Sequence, residues 1–336
     1  MKVIGIDFTS SPSRRKPITA LSCSLEGDTL TAGDLESWPD FKGFEEMLAS
    51  PGPWIAGINF PFGQARRFIN TIGWPKNWAE YVGHAQSLTR DGFRKALDEY
   101  RAARPDGDKE HRRATDSAAG SISPQKLFGV PVGLMFFEGA PRLLRSGVTI
   151  PYLLNGAQDR IAVEAYPGVI ARRLIGRRSY KNDTKSKQTI DQFRARQELF
   201  QKLVSGGQEL YGLTIKADPS LCDDPGADTL DALLCAVQAA WAWSQHNNGY
   251  GVPEDPDELE GWIADPLVSG RTLGSELKEA QDGDVVVVNL KISRSTYEAA
   301  RTIAGSSNTK SPGEVRDAMT AEDYLIQFLD TNLGDQ

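Results

Sequence analysis

Cysteine and histidine are scarce in this chain, with three of each in 336 residues. Cys23, Cys222 and Cys235 fall in no metal-binding or disulfide spacing, so neither a zinc ribbon nor a disulfide scaffold is expected. Cys235 lies inside an apolar stretch, where a free cysteine acts as a small hydrophobe. His84, His111 and His246 form no His-Glu-x-x-His pair, which removes the common zinc hydrolases. A Gly-x-Ser-x-Gly elbow, a P-loop and a Gly-x-Gly-x-x-Gly turn are also missing. No run approaches the roughly 18 to 20 uncharged apolar residues of a membrane span, and the opening MKVIGIDFTSS has the character of a strand rather than of a signal peptide. A cytoplasmic protein without a membrane partner is the expectation. Positive charge is short too: the net charge of −7 argues against a nonspecific nucleic-acid coat, which works by neutralising phosphates.

That average hides an asymmetry. Residues 172–187, RRLIGRRSYKNDTKSK, hold seven basic side chains against one Asp, whereas residues 254–284 hold ten acids against two bases. A basic strip in an acidic chain is a candidate phosphate contact, with Arg177, Arg178, Tyr180 and Lys181 at its centre. The bland alternative is a solvated face. Trp74 and Trp78 are the aromatic candidates for stacking on a base, weighed against simple packing.

The length allows two domains, or one large domain with an appendage. KVIGID reads as a buried strand ending on Asp7, and residues 16–38 as two further strands joined near Gly27-Asp28, which implies an antiparallel meander. A short helix (41–50), a strand (53–63) and another strand (160–169) follow, then helices near 185–205 and 226–245. Such an order predicts an α/β fold with an antiparallel side and a parallel side. The stretch between the fourth and fifth strands is too long for a simple connection and carries helical periodicity at 78–104 and 130–148. It is expected to be a helical cap inserted at about 64–150. The chain is accordingly divided into a main domain (1–266), an acidic linker (267–284) and a strand-helix-helix tail (285–336). The tail's single strand cannot be stable alone and is similar to that of the ribbon-helix-helix fold, which pairs with its copy in a homodimer.

The stretch GADTLDALLCAVQAAWAW (226–243) carries Asp228 and Asp231 three residues apart, so both side chains lie on one helix face. Asp228 is a plausible N-cap and Asp231 a first-turn acid favoured by the helix dipole, which is sufficient reason for both. Strand ends shift the balance. Asp7 terminates one apolar strand and Glu164 lies in another, and a buried unpaired carboxylate costs several kcal/mol unless a cation compensates it. Mg²⁺ or Mn²⁺ supplies that cation if Asp7, Glu164 and Asp231 meet at one sheet edge.

In order and character, GIDFTSSPSRRKPIT, GINFPFG, VEAYPGV and DTLDALLCAVQAAWA resemble the domain-of-unknown-function family 429, read as ribonuclease H-like. The last segment also resembles the closing helix of Holliday-junction resolvases. The resemblance spans about residues 1–266 and implies a five-stranded mixed sheet with helices on both faces and two divalent metals. It implies a metal-dependent nuclease or phosphodiesterase acting on nucleic acid, with Asp7 bridging the metals, Glu164 and Asp231 completing their shells and Asp228 orienting a water. Asn59 departs from the pattern, because an acid usually ends that strand; an amide ligates without charge, so the second metal should be weakly held. Two alternatives stay open. The turn DFTSSPSRRKP, with Arg14, Arg15 and Lys16, resembles the phosphate hairpin of actin-like kinases of small molecules. An acid site that binds or regulates without turnover is the other, and Asn59 is its best support.

Overall fold

The computed structural model describes residues 1–270. The acidic linker beyond that point and the predicted strand-helix-helix tail, with its homodimer, lie outside the described residues. The elements run β1 (Lys2–Asp7), β2 (Ile18–Glu26), β3 (Thr29–Trp38), α1 (Lys42–Ala49), β4 (Trp54–Ile58), α2 (Arg66–Ile72), α3 (Trp78–Ser87), α4 (Thr89–Ala102), α5 (Ala114–Ala119), α6 (Val132–Ser146), β5 (Val148–Thr149), β6 (Ala157–Glu164), α7 (Pro167–Ile175), α8 (Ile190–Tyr211), β7 (Thr214–Lys216), α9 (Asp228–Ser244) and α10 (Pro266–Ser269).

The fold is α/β, built on a mixed sheet ordered β5-β6-β4-β1-β2-β3-β7. The meander is present, β1 to β3 pairing antiparallel, and β1, β4, β6 and β5 form the parallel side. The sheet has seven strands rather than five. Both additions are short edge strands: β5 is two residues long and β7 three, too few to show a period-2 pattern. The periodic stretch 78–104 is also two helices, broken where Thr89 takes a left-handed φ of 61°.

Period 2 decides which side chains face which layer. On β1, Ile4 and Ile6 enter the core shared with α1 and the inserted helices α3, α4 and α6, together with Trp54, Ala56 and Ile58 of β4. Val3 and Ile55 enter the opposite core, under α7, α8 and α9. Gly5 and Gly57 stand on this second face, paired in register across the parallel strands. A Cβ on Gly5 would lie 1.9 Å from the Ala232 carbonyl oxygen, and one on Gly57 would lie 2.3 Å from that of Cys235. The two glycines therefore form a seat into which the backbone of α9 sinks. Its own Leu230, Leu233, Leu234, Val237 and Trp241 are all buried, so α9 is apolar on nearly all sides and is a core helix of the layer. Trp74 and Trp78 are buried in the first core, so both are packing residues.

Candidate functional site

The α9 seat brings the first turn of that helix to the C-terminal end of β1. Asp7 follows Val3 and Gly5 on the α9 face, and Asn59, one residue past β4, continues the parity of Ile55 and Gly57. The backbone N–H of Asn59 donates to the Ile6 carbonyl (3.0 Å), and its side-chain amide donates to Asp7 Oδ1 (2.7 Å). Asn59 thus stands beside Asp7, where the sequence puts it. Its amide spends a proton on the carboxylate.

Asp231 is fully buried, its Oδ1 accepting from the Tyr180 hydroxyl (2.8 Å) and its Oδ2 held by the Lys181 ammonium. Asp228 is not the N-cap. Ala227 takes that position with φ 59°, and Asp224 Oδ2 accepts the first free N–H, that of Asp228 (2.7 Å). This frees the Asp228 carboxylate to accept from Lys16 (2.6 Å), which also reaches Asp183 (2.7 Å). Burial pushes the Asp7 carboxyl up to about 7; Lys181 opposes the rise, while Asp231 and Asp228 add to it. The cluster is short of positive charge even with its lysines in place. Burial likewise raises Asp228 against the pull of Lys16.

Glu164 belongs to the opposite pleat. It pairs in register with Ile58, which pairs with Ile6, so it shares their face rather than that of Asp7 and Asn59. There it meets Arg113, a buried residue that precedes α5, through both arms of the guanidinium (2.6 and 2.7 Å), and Glu164 also accepts from the Phe62 N–H (2.9 Å). Arg113 is shared with Asp116 (2.8 and 2.9 Å) and with the Glu260 carbonyl (2.9 Å). The bidentate pair is of the strong, geometrically specific kind. Burial pushes Glu164 up against the opposing charge of Arg113. No local signal in the sequence announces this clasp, whose two ends lie 51 residues apart.

A cavity of 330 Å³ is lined by residues of both groups, with Asn59, Glu164, Arg113, Tyr180, Lys181 and Asp231 among its polar residues and Phe60, Ile122, Val130 and Met135 among its apolar ones. The expected phosphate contacts divide. Lys16 and Lys181 are turned onto acids rather than outward, and Tyr180 is buried against Asp231. Arg178 pairs with Glu198 (2.6 Å). Arg14, Arg15 and Arg177 are exposed.

Among the described residues no three acidic, histidine or cysteine side chains stand close enough to enclose a metal ion. A two-metal centre that includes Glu164 does not fit, because Arg113 takes both its oxygens. For a single cation the donor chemistry is divided: Asp7 has Asn59 on Oδ1 and no hydrogen bond to Oδ2 among the described residues, whereas Asp231 has Tyr180 on Oδ1 and Lys181 on Oδ2, so a cation there would compete with one ammonium rather than with a bidentate guanidinium. The three cysteines are free and buried, and no described helix is long and apolar enough to cross a membrane. No protein-family model, curated protein or solved structure matches this chain.

Proposed function

We propose that the chain is a divalent-cation-dependent phosphodiester hydrolase of ribonuclease H-like type, acting on nucleic acid with Mg²⁺ or Mn²⁺. The observation that carries it is the charge-deficient acid cluster at the parallel strand ends, where α9 is sunk onto Gly5 and Gly57 so that Asp228 and Asp231 meet the field of Asp7. Asp7 and Asp231 are the residues that would hold the cation. Bound there, a divalent ion supplies Lewis-acid stabilisation of a phosphoryl oxygen and an acidified water.

This chain's own residues do the rest. Tyr180 and Asn59 keep the two carboxylates oriented with neutral donors. Lys181, which holds Asp231 and lines the cavity, is the cation that would face a phosphate there. Lys16 holds Asp228, which orients the attacking water. Glu164 and Arg113 act as a structural clasp between β6 and the inserted helices. The test is calorimetric titration with Mn²⁺ beside a cleavage panel of single-stranded, hybrid and branched nucleic acids. Micromolar to millimolar binding that Asp7→Asn and Asp231→Asn abolish, together with the cleavage, supports the reading; a wild type that binds no Mn²⁺ at millimolar concentration overturns it.

A second reading, a nucleic-acid-binding or regulatory protein without turnover, is favoured by one observation: two ammonium groups and the Asn59 amide already occupy the acids. Oligonucleotide binding that is indifferent to Mn²⁺ is its signature. The kinase alternative gains nothing from the fold, since Lys16 of the first hairpin is spent on Asp228 and Asp183.

A further inference from the structure

On the outer side of Tyr180 lies a second concavity, of 480 Å³, lined by Arg112, Arg172, Arg177 and Arg178 together with three glycines, Gly120, Gly168 and Gly176. No acid lines it. In a chain of net charge −7 that local concentration of guanidinium groups needs a reason. Two of the four are structurally engaged: Arg172 donates to the Ala119 and Gly120 carbonyls (2.7 and 3.1 Å), and Arg178 pairs with Glu198 and donates to Ile175 O (3.0 Å). Arg112 and Arg177 are exposed and take part in no hydrogen bond or ion pair among the described residues. Their positions come from different parts of the chain, Arg112 just ahead of α5 in the inserted region and Arg177 just after α7. The groove is thus a product of tertiary structure.

Tyr180 and Gly168 line both this concavity and the 330 Å³ cavity of the acid cluster, so the two spaces share a wall. The inner space is partly apolar and small; the outer one is cationic and open. That is the division a single nucleic-acid strand needs, with one base enclosed against apolar side chains and the adjoining phosphates on guanidinium groups. A base pair with both its backbones is larger than the 330 Å³ of this space.

We propose that the Arg112–Arg177 concavity is the phosphate track of a single nucleic-acid strand whose terminal or extruded nucleotide occupies the inner cavity. This rests on the reading of the acid cluster as a nucleic-acid site and names its substrate class as single-stranded. Arg112 and Arg177 each neutralise one phosphate, while Arg172 and Arg178 shape the groove.

The experiment uses the full chain and fluorescence anisotropy with a labelled ten-nucleotide single strand, and with the same strand in a duplex, without metal and over a range of salt. The single strand should bind at least tenfold more tightly than the duplex. Arg112→Glu with Arg177→Glu should weaken it at least tenfold and reduce the salt slope by about 1.4, the value for two phosphate contacts on a single strand. Lys42→Glu with Lys95→Glu, the same charge change on exposed helix positions elsewhere, should leave affinity within about twofold. Equal affinity for strand and duplex, or an unchanged salt slope in the arginine variant, overturns the proposal. The two readings fail separately. Cleavage with Mn²⁺ that the arginine variant leaves unaltered in KM sinks the track and spares the hydrolase, whereas arginine-dependent binding without cleavage in Mg²⁺ or Mn²⁺ spares the track and sinks the hydrolase.

Discussion

Asp7 carries a measurable cost. Its carboxyl titrates at about 7 in the folded chain against an ordinary 3.8, because burial and two neighbouring acids outweigh Lys181 and Asn59. An acid whose pKa rises on folding keeps its proton after the unfolded chain has lost it. Stability therefore falls as pH climbs from about 4 to about 7 and stays reduced above that. Asp7→Asn removes the titration and still accepts from Asn59. It should raise stability by on the order of 1 to 3 kcal/mol at pH 8, with the gain vanishing near pH 4, as read from urea midpoints across that range. Asn59→Asp works in the opposite sense: a second carboxylate about 4 Å away interacts by about 4 kcal/mol at an effective dielectric near 20, before desolvation offsets part of it. Without metal the variant should lose stability, and with Mn²⁺ it should bind several-fold more tightly than wild type; calorimetry that shows unchanged Mn²⁺ affinity separates Asn59 from the cation. Arg113→Met strands Glu164 and Asp116 without a cation and should cost about 3 to 5 kcal/mol at pH 7 in urea unfolding. If the loss is under about 1 kcal/mol, the clasp does not hold the inserted helices.

Elements are joined here by close approach more than by bulk. Gly5→Ala adds one methyl group where the Ala232 carbonyl already stands, 1.9 Å from the new Cβ, so α9 must lift. Overpacking of that kind costs about 1 to 3 kcal/mol or more, and it moves Asp228 and Asp231 away from Asp7. The variant should lose Mn²⁺ affinity by a larger factor than Gly33→Ala does, since Gly33 on β3 meets only a carbonyl at 3.0 Å; equal losses would detach the helix seat from the site. Most of these elements are legible in the sequence. The capping box of α8, Thr189 with Gln192, and its closing Gly212 mark a helix in one dimension. The apolar run after Asp231 does the same for α9. Two-residue β5 and three-residue β7 are not legible, because a strand that short is made by its partner's edge and not by its own pattern.

At the scale of the whole molecule, the last contributors to the two large cores among the described residues are Leu259 and Ala264. A chain cut after residue 284 should accordingly keep the full-length urea midpoint within experimental error, and light scattering on the two forms tests the expected tail-mediated dimer directly. Sequence alone determined the α/β order, the acids at Asp7 and on the 226–243 helix, the amide at 59 and the excess of arginine after α7, because each is a property of spacing or composition along one segment. Tertiary structure decided which of them meet. Glu164 ends its strand as Asp7 does, yet pairing with Ile58 puts it on the other pleat, in the grip of Arg113. Lys16 and Lys181 look like free cations in one dimension and turn onto acids in three. The reason is physical: strand register has a period of two, so a shift of one residue reverses the face of a side chain, and only the pairing of strands distant in sequence sets that register.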